Sequence, residues 1–298
     1  MADICGEEQG LKLMISALIT VFHPTLQVAD NASAISRQVD TVYICDNSPD
    51  SHEELFFGEN IRYIWFGENL GISRAYNRVL KDSAFGWKDS DRVIFFDQDS
   101  QIEEGHIAAL CHIRHKLERA GYSVGCLGPA YFNTSSGTVE IPRRKHPLGA
   151  KTYSVSGIIT SSMLCRYGDL RKIGFWNEDV FLDMADWDLC WRLMKKGMLC
   201  CLTEQAVLRH TLGVGEKKIG PLRLRVGEPY REYYQLRECL YLFGKSYTPM
   251  KYRVRFLAML LIRSPLHLIF LNHRKQRFDY ITKGIGDFLR GKHGALER

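Results

Sequence analysis

The sequence predicts an α/β fold built on a mainly parallel sheet, and three observations carry that reading. Apolar runs rich in β-formers alternate with amphipathic stretches of helical period through the first 120 residues. Their spacing leaves room for a helical crossover between neighbouring strands. The run Val93 to Phe96 is apolar at every position and ends in Asp97-Gln98-Asp99-Ser100, which sets two carboxylates where a buried strand leaves the sheet. Ligands of open α/β folds bind just beyond such strand ends. Two hard oxygen ligands there suit Mg²⁺ or Mn²⁺ held together with substrate phosphates, whereas a polar turn ending the strand is the plain alternative.

Leu13 to Phe22 reads as the first strand, stopped by His23-Pro24, and Leu26 to Arg37 has helical periodicity. Thr41 to Cys45 is a second buried strand that ends at Asp46-Asn47-Ser48-Pro49, and Ile61 to Phe66 is a third. Asn69 to Lys81 is an amphipathic helix packing through Ala75, Val79 and Leu80. After the Val93 strand comes a helix from about Ile107 to Ala120. From Ser123 to Ile159 the pattern is irregular, with short strands and the basic stretch Arg143-Arg144-Lys145-His146, a substrate-facing or simply solvated loop. A helix from about Trp187 to Lys196 stops at Gly197, and Leu199 to Leu202 and Ala206 to Leu208 read as two last short strands. No G-x-G-x-x-G opens the first helix, which disfavours a dinucleotide-binding Rossmann domain.

The 298 residues suffice for a large α/β domain with a tail, divided here at residues 1–225 and 226–298. Charged residues make up 25% and hydrophobic residues 45%, as in an ordinary folded protein. The net charge of +6 is concentrated after Lys217, which points to an anionic partner. With no nucleic-acid module in view, a membrane surface or a phosphorylated substrate fits that charge better. The nine cysteines form no C-x-x-C pair, so a zinc site is disfavoured and most read as small core residues of a reduced, cytoplasmic protein. No basic-then-apolar leader is seen before Leu11. The apolar segment Phe256 to Leu271 is broken by Arg263 and Pro265, too short and charged for a spanning helix. Flanked by Lys251, Arg253, Arg255, Arg274, Lys275 and Arg277, it suits either a membrane-interface helix or a hairpin packed on the catalytic domain.

Several motifs occur in order: Cys45-Asp46-Asn47-Ser48, Asn69-Leu-Gly-Ile-Ser-Arg-Ala-Tyr-Asn77, Phe96-Asp-Gln-Asp-Ser100, Phe181-Leu-Asp-Met-Ala-Asp-Trp-Asp188 with Arg192, His210-Thr-Leu-Gly213, and Arg231-Glu-Tyr-Tyr-Gln-Leu-Arg237. Together they resemble glycosyltransferase family 2, the inverting nucleotide-sugar enzymes of GT-A fold, over roughly Leu13 to Arg237. Within it they are most similar to the bacterial rhamnosyltransferases.

The resemblance implies a role for each motif. Asp46 would accept a hydrogen bond from the imide N–H of uracil or thymine, with Thr20 and Phe22 flanking the base; an Asx turn before Pro49 is its structural alternative. Asn69, Gly71 and Asn77 would surround a helix start that receives an anion or a sugar hydroxyl, although Asn69 or Ser73 can equally cap that helix. Asp99 would bind the metal, with Asp97 facing the ribose or reaching the ion through water, and His210 would complete the metal site or touch the diphosphate. Arg231 and Arg237 would hold the β-phosphate, or else pair with Glu228, Glu232 or Glu238. Glu238 stands where the related enzymes often carry Asn.

On the acceptor side, Asp186 would deprotonate the attacking hydroxyl, or cap a helix beginning at Trp187, with Asp183 in reserve. Asp188 is expected to pair with Arg192 one turn on. Ser156-Gly157 would lie beneath the acceptor, and Trp176 and Trp187 could stack on a sugar unless they belong to the core. The reaction so implied moves L-rhamnose from dTDP-β-L-rhamnose to an oligosaccharide or lipid-linked glycan, a lipopolysaccharide core or O-antigen, at the cytoplasmic face of the membrane. A UDP-hexose donor, or a non-catalytic GT-A-like scaffold that binds glycan or membrane, are the alternatives.

Overall fold

The apolar runs form the centre of one large sheet. The computed structural model describes residues 13–133, 138–210, 216–219 and 222–296. The first half comprises β1 (Ile15–Val21), α1 (Leu26–Ser36), β2 (Thr41–Asp46), β3 (Ile61–Trp65), α2 (Gly71–Leu80), β4 (Arg92–Asp97) and α3 (His106–Arg119). The second half adds β5 (Val124–Asn133), β6 (Thr138–Glu140), β7 (His146–Gly149), β8 (Thr152–Val155), β9 (Met163–Arg166), α4 (Tyr167–Lys172), α5 (Ala185–Lys195) and β10 (Leu199–His210). A separate hairpin of β11 (Glu216–Ile219) and β12 (Leu222–Arg225) leads to α6 (Arg231–Phe243), α7 (Met250–Ala258), α8 (Ser264–Phe270) and α9 (Arg274–Leu289).

Strand order is β3-β2-β1-β4-β9-β5-β10-β8-β7. The strands β3, β2, β1 and β4 run parallel, with α1 crossing from β1 to β2, α2 from β3 to β4, and a loop with one short helical turn from β2 to β3. Past β4 the sheet is mixed: β9 is antiparallel to both its neighbours, β10 is parallel to β5, and β8 closes antiparallel on β10. The two short strands expected near residue 200 are one strand, β10, whose register against β5 shifts between Thr203 and Val207.

Side chains of β1 alternate between two cores. Leu18 belongs to the core that also holds Ala75 and Val79 of α2 and Leu189 and Trp191 of α5, while Ala17, Ile19 and Val21 belong to the one beneath α1 and α3. Helices on both faces leave the carboxyl ends of β1, β2 and β4 open along one edge. Thr20 there stands between Cys45 and Asp97, and Val21 is opposite Asp46.

In the C-terminal region α6 packs on α9, where Gly284 comes so close that an added Cβ would lie 2.7 Å from the Tyr233 carbonyl oxygen. Buried Glu232 on α6 accepts from His267 Nδ1 of α8 (2.5 Å) and Arg277 of α9 (3.1 Å), tying three helices together. A π-helical turn, Met259–Arg263, joins α7 to α8 just ahead of Pro265, whose missing N–H cannot complete the α-helical ladder.

Candidate active site

The Asp97–Ser100 turn is fixed from several sides. Ser100 N–H donates to the Asp97 carbonyl (3.1 Å), and the buried Ser100 hydroxyl bonds that of Ser161. Gln98 Oε1 accepts from Phe22 N–H (2.8 Å), and its carbonyl accepts from Asn31 (3.2 Å). Asp97 is half-buried at the end of β4 and Asp99 is exposed beyond it. Beneath them Tyr76 donates its hydroxyl hydrogen to the Phe96 carbonyl (3.0 Å) and lies 3.5 Å from Thr20 Oγ1.

Across this edge stands the loop that opens α5. At Gly71, φ is +72°, and an added Cβ would lie 2.6 Å from both the Phe181 ring and its carbonyl oxygen. Ile72 N–H donates to that same carbonyl (3.0 Å), so the loop is seated on the first turn of α2. From behind, the buried carboxylate of Glu238 accepts from four consecutive backbone N–H groups. Oε1 takes those of Phe181 (2.9 Å) and Leu182 (3.0 Å), and Oε2 those of Asp183 (2.9 Å) and Met184 (3.0 Å). Burial pushes Glu238 up to about 7, aided by the charge of Asp183 and opposed by these N–H groups and Arg237.

Asp186 lies in the first turn of α5, which begins at Ala185, so it does not cap a helix starting at Trp187. Its Oδ1 accepts from Trp187 N–H (2.7 Å). Burial drives its carboxyl well above the usual carboxylate range, and the charges of Cys190, Asp97 and Asp183 act in the same direction. Asp183 is also raised by burial, against the pull of Arg231, whose Nε donates to Asp183 Oδ1 at 3.2 Å. Arg231 feels Asp97 as well. Asp97, Asp183, Asp186 and Arg231 therefore share one electrostatic neighbourhood. Asp188 pairs with Arg192 (2.6 Å) as its spacing implies, and Tyr247 and Asn177 also donate to it.

Other residues singled out from the sequence turn elsewhere. Asn77 is buried and clasps the Trp176 backbone through both amide atoms (2.9 and 3.1 Å), with Glu178 Oε1 at 2.8 Å, so it holds a loop and not a nucleotide. The small size of Gly71 admits Phe181 and leaves no close approach for an anion. Asn69 accepts from Gly71 N–H (3.0 Å) just ahead of α2, but the N-cap position is Leu70 and no side chain caps the helix, so neither Asn69 nor Ser73 is its cap. Arg237 is buried on the far side of α6, bonded to Tyr233 Oη (2.8 Å) and the Gly294 carbonyl (2.7 Å), and does not reach the cleft to hold a phosphate. The carboxylate of Asp46 is sealed from solvent. It forms the Asx turn to Ser48 N–H (2.7 Å) and accepts from Tyr63 Oη (2.6 Å), with His52 Nδ1 at 3.2 Å. Exposed Phe22 and His52, the latter partly open, border that edge through His23. His210 is the last residue of β10, opposite Asn133, and its side chain lies outside the described residues.

A second wall forms beside Asp186. Gly157 lies under Trp187 so closely that a Cβ would come within 2.7 Å of the ring. Tyr252 of α7 packs on Trp187 at 5.0 Å and on Trp191 at 4.7 Å, and its Oη lies 2.9 Å from Ser156 Oγ. Lys251 Nζ donates to the same oxygen (3.1 Å). Trp176 belongs to the core, against Tyr76 and Phe95. No local pattern announces Tyr252 or the Glu238 contacts, because their partners lie 54 to 96 residues away in the chain.

The donors at Asp97 and Asp99 are hard carboxylate oxygens, the chemistry a divalent ion takes together with phosphate oxygens. Among the described residues the one group of three potential ligands that clusters unaided is Cys126, Cys190 and Cys200, and these thiols are buried in the core between β5, α5 and β10. A cavity of about 480 Å³ lies between Glu103–Ala109, at the start of α3, and the β10 bulge at Gln205–Val207.

No protein-family model matches the chain. It is 24% identical over 297 residues to the dTDP-rhamnosyl transferase RfbF of Shigella flexneri, an alignment that covers 94% of this chain and 96% of the relative. Among solved structures it is similar to GalNAc-T7, crystallised with UDP, GalNAc and Mn²⁺, at a TM-score of 0.54 and 12% identity. That match covers 86% of this chain, which spans 58% of GalNAc-T7. The chain is a glycosyltransferase of GT-A fold. In this glycosyltransferase the resemblance read from the motifs extends to nearly the whole length of a named rhamnosyl transferase. No described helix is long and apolar enough to cross a membrane.

Proposed function

We propose that the enzyme transfers L-rhamnose from dTDP-β-L-rhamnose to a hydroxyl of a cell-envelope glycan, a lipopolysaccharide core or O-antigen, with inversion at the anomeric carbon. The observation that carries this reading is that Asp97, at the carboxyl end of β4, is close enough for its charge to act on Asp186 of α5, in a chain 94% of which aligns with a dTDP-rhamnosyl transferase. Asp99 and Asp97 would hold Mg²⁺ or Mn²⁺, which when bound neutralises charge on the departing diphosphate. GalNAc-T7, with its Mn²⁺, supports a divalent ion in this fold.

Asp186 takes the proton of the acceptor hydroxyl as that oxygen attacks. Its desolvation supports this role by raising its basicity. Arg231, oriented by Asp183, faces the leaving phosphate, where its cation favours the charge developing there. Trp187, Tyr252 and Ser156 offer a stacking face and hydroxyls to the acceptor sugar. Thr20, Phe22 and the Asp46–Tyr63–His52 group border the base side.

The test is turnover of dTDP-L-rhamnose against UDP-hexoses with fractionated envelope oligosaccharides as acceptors, each product's anomeric configuration read by NMR. An α-linked rhamnoside formed only with the dTDP donor supports the reading. Turnover of a UDP-hexose instead would move the donor, and turnover of neither would end the proposal.

A further inference from the structure

The helical run from α7 through the π turn to α8 is attached by one face only. Tyr252, Phe256, Ser264 and His267 are buried against the domain. Met250, Val254, Leu257, Leu261, Ile262 and Ile269 recur at helical spacing on the outer face, and all are exposed, Leu261 to 68% and Met250 to 69%. Isolated apolar side chains on a surface are ordinary, but a continuous stripe along a helix about 30 Å long is a binding face.

The charge around the stripe selects what covers it. Between residues 239 and 278 there are eight lysines and arginines and no aspartate or glutamate. Lys251, Arg255, Arg274 and Lys275 among them are exposed. Two copies of this chain meeting through the stripe about a twofold axis would set cations against cations with no acidic residue of the segment to offset them. An anionic bilayer surface supplies both an apolar layer for the stripe and negative headgroups for the rim.

We infer that the outer face of α7–α8 docks the enzyme on an anionic lipid surface, lying in the interface and not crossing it. The stripe and the acceptor wall are opposite faces of one helix: Tyr252 packs on Trp187 while Val254, two residues on, is exposed. Resting on the transferase reading, this sets the acceptor side of the cleft beside the bilayer and makes a lipid-linked glycan the acceptor class.

Flotation with vesicles tests the docking without a sugar substrate. Wild-type protein should float with phosphatidylglycerol/phosphatidylcholine vesicles at low salt, and much less with pure phosphatidylcholine or in about 0.5 M NaCl. The double variant Leu261→Glu/Ile262→Glu should bind at least about tenfold more weakly, with unchanged dTDP affinity and an unchanged circular dichroism spectrum. A Leu261→Trp variant should shift its emission to the blue on the anionic vesicles. Equal flotation of wild type and double variant, no preference for the anionic vesicles, or a dimer seen by light scattering that the double variant abolishes would each overturn the inference. dTDP binding read on the same samples keeps the two proposals apart, since its loss in wild type would sink the transferase reading and leave the docking result standing.

Discussion

Arg231, in the first turn of α6, reaches across to Asp183, in the loop ahead of α5, and its Nε donates to Oδ1 at 3.2 Å. The pair joins two segments that the motifs had assigned to opposite jobs, phosphate binding and proton abstraction. It fixes the guanidinium near Asp97 and leaves Asp186 as the carboxylate that can act on an acceptor. Arg231→Ala should therefore lower turnover by roughly 10²–10³, with a smaller drop in the midpoint of thermal unfolding, because the Arg231 side chain is 42% exposed while its partner Asp183 is nearly buried. Steady-state kinetics alongside a melting curve separates the two effects. An unchanged turnover would remove Arg231 from the diphosphate side.

Glu238 is the support behind that pair. Truncating the side chain to a methyl group in Glu238→Ala leaves four N–H groups in the Phe181–Met184 loop without their acceptor, at a cost on the order of 3–5 kcal/mol. Denaturant unfolding measures it. The pH dependence has a defined sign. The native carboxyl titrates at about 7, above the roughly 4.3 of an unfolded Glu, so the native state holds the extra proton between these values. Its contribution to stability is present in full below about 4.3 and declines as pH rises to about 7. Glu238→Gln should lose that slope, which paired unfolding curves at pH 5 and pH 8 report.

Gly71→Ala should disturb the same loop from its other side. The substitution asks an L side chain to take φ +72° and to sit against a backbone carbonyl that the surrounding fold cannot easily displace. A loss of about 2–4 kcal/mol is expected by denaturant titration, with turnover reduced even in the fraction that remains folded.

Asn77→Ala separates a structural role from nucleotide binding. It removes buried bonds to the Trp176 backbone and should cost about 2–3 kcal/mol, yet calorimetry on the folded variant should return the wild-type dTDP affinity. A selective loss of affinity would restore Asn77 to the nucleotide site.

These contrasts show what could be read in advance. The parallel half of the sheet was legible because β1, β2 and β4 are continuous apolar runs between helices of clear period, and their ends fix where a ligand binds. The antiparallel strands from β5 to β9 were not, since β9 is four residues long and pairs with strands far away in sequence. Within the site, spacing identified which residue types the fold requires but not the side toward which each turns. The motifs imply that Asn77 and Arg237 face ligand, and the structure points them into the protein. Glu238 looked like the loss of an amide, yet its two oxygens meet four backbone donors, a role no local pattern announces.

The most direct measurement compares Asp186→Asn with Asp99→Ala in one pair of assays, dTDP titration with Mn²⁺ by calorimetry and transfer by single turnover across pH. Asp186→Asn should bind dTDP as wild type does while transfer falls by about 10²–10⁴. The wild-type rise in rate as pH passes the elevated Asp186 titration should disappear with it. Asp99→Ala should lose the Mn²⁺-dependent part of dTDP binding. Wild-type transfer by Asp186→Asn, or unaltered Mn²⁺-dependent binding by Asp99→Ala, would contradict the division of the cleft into a donor side held by Asp97 and Asp99 and an acceptor side worked by Asp186.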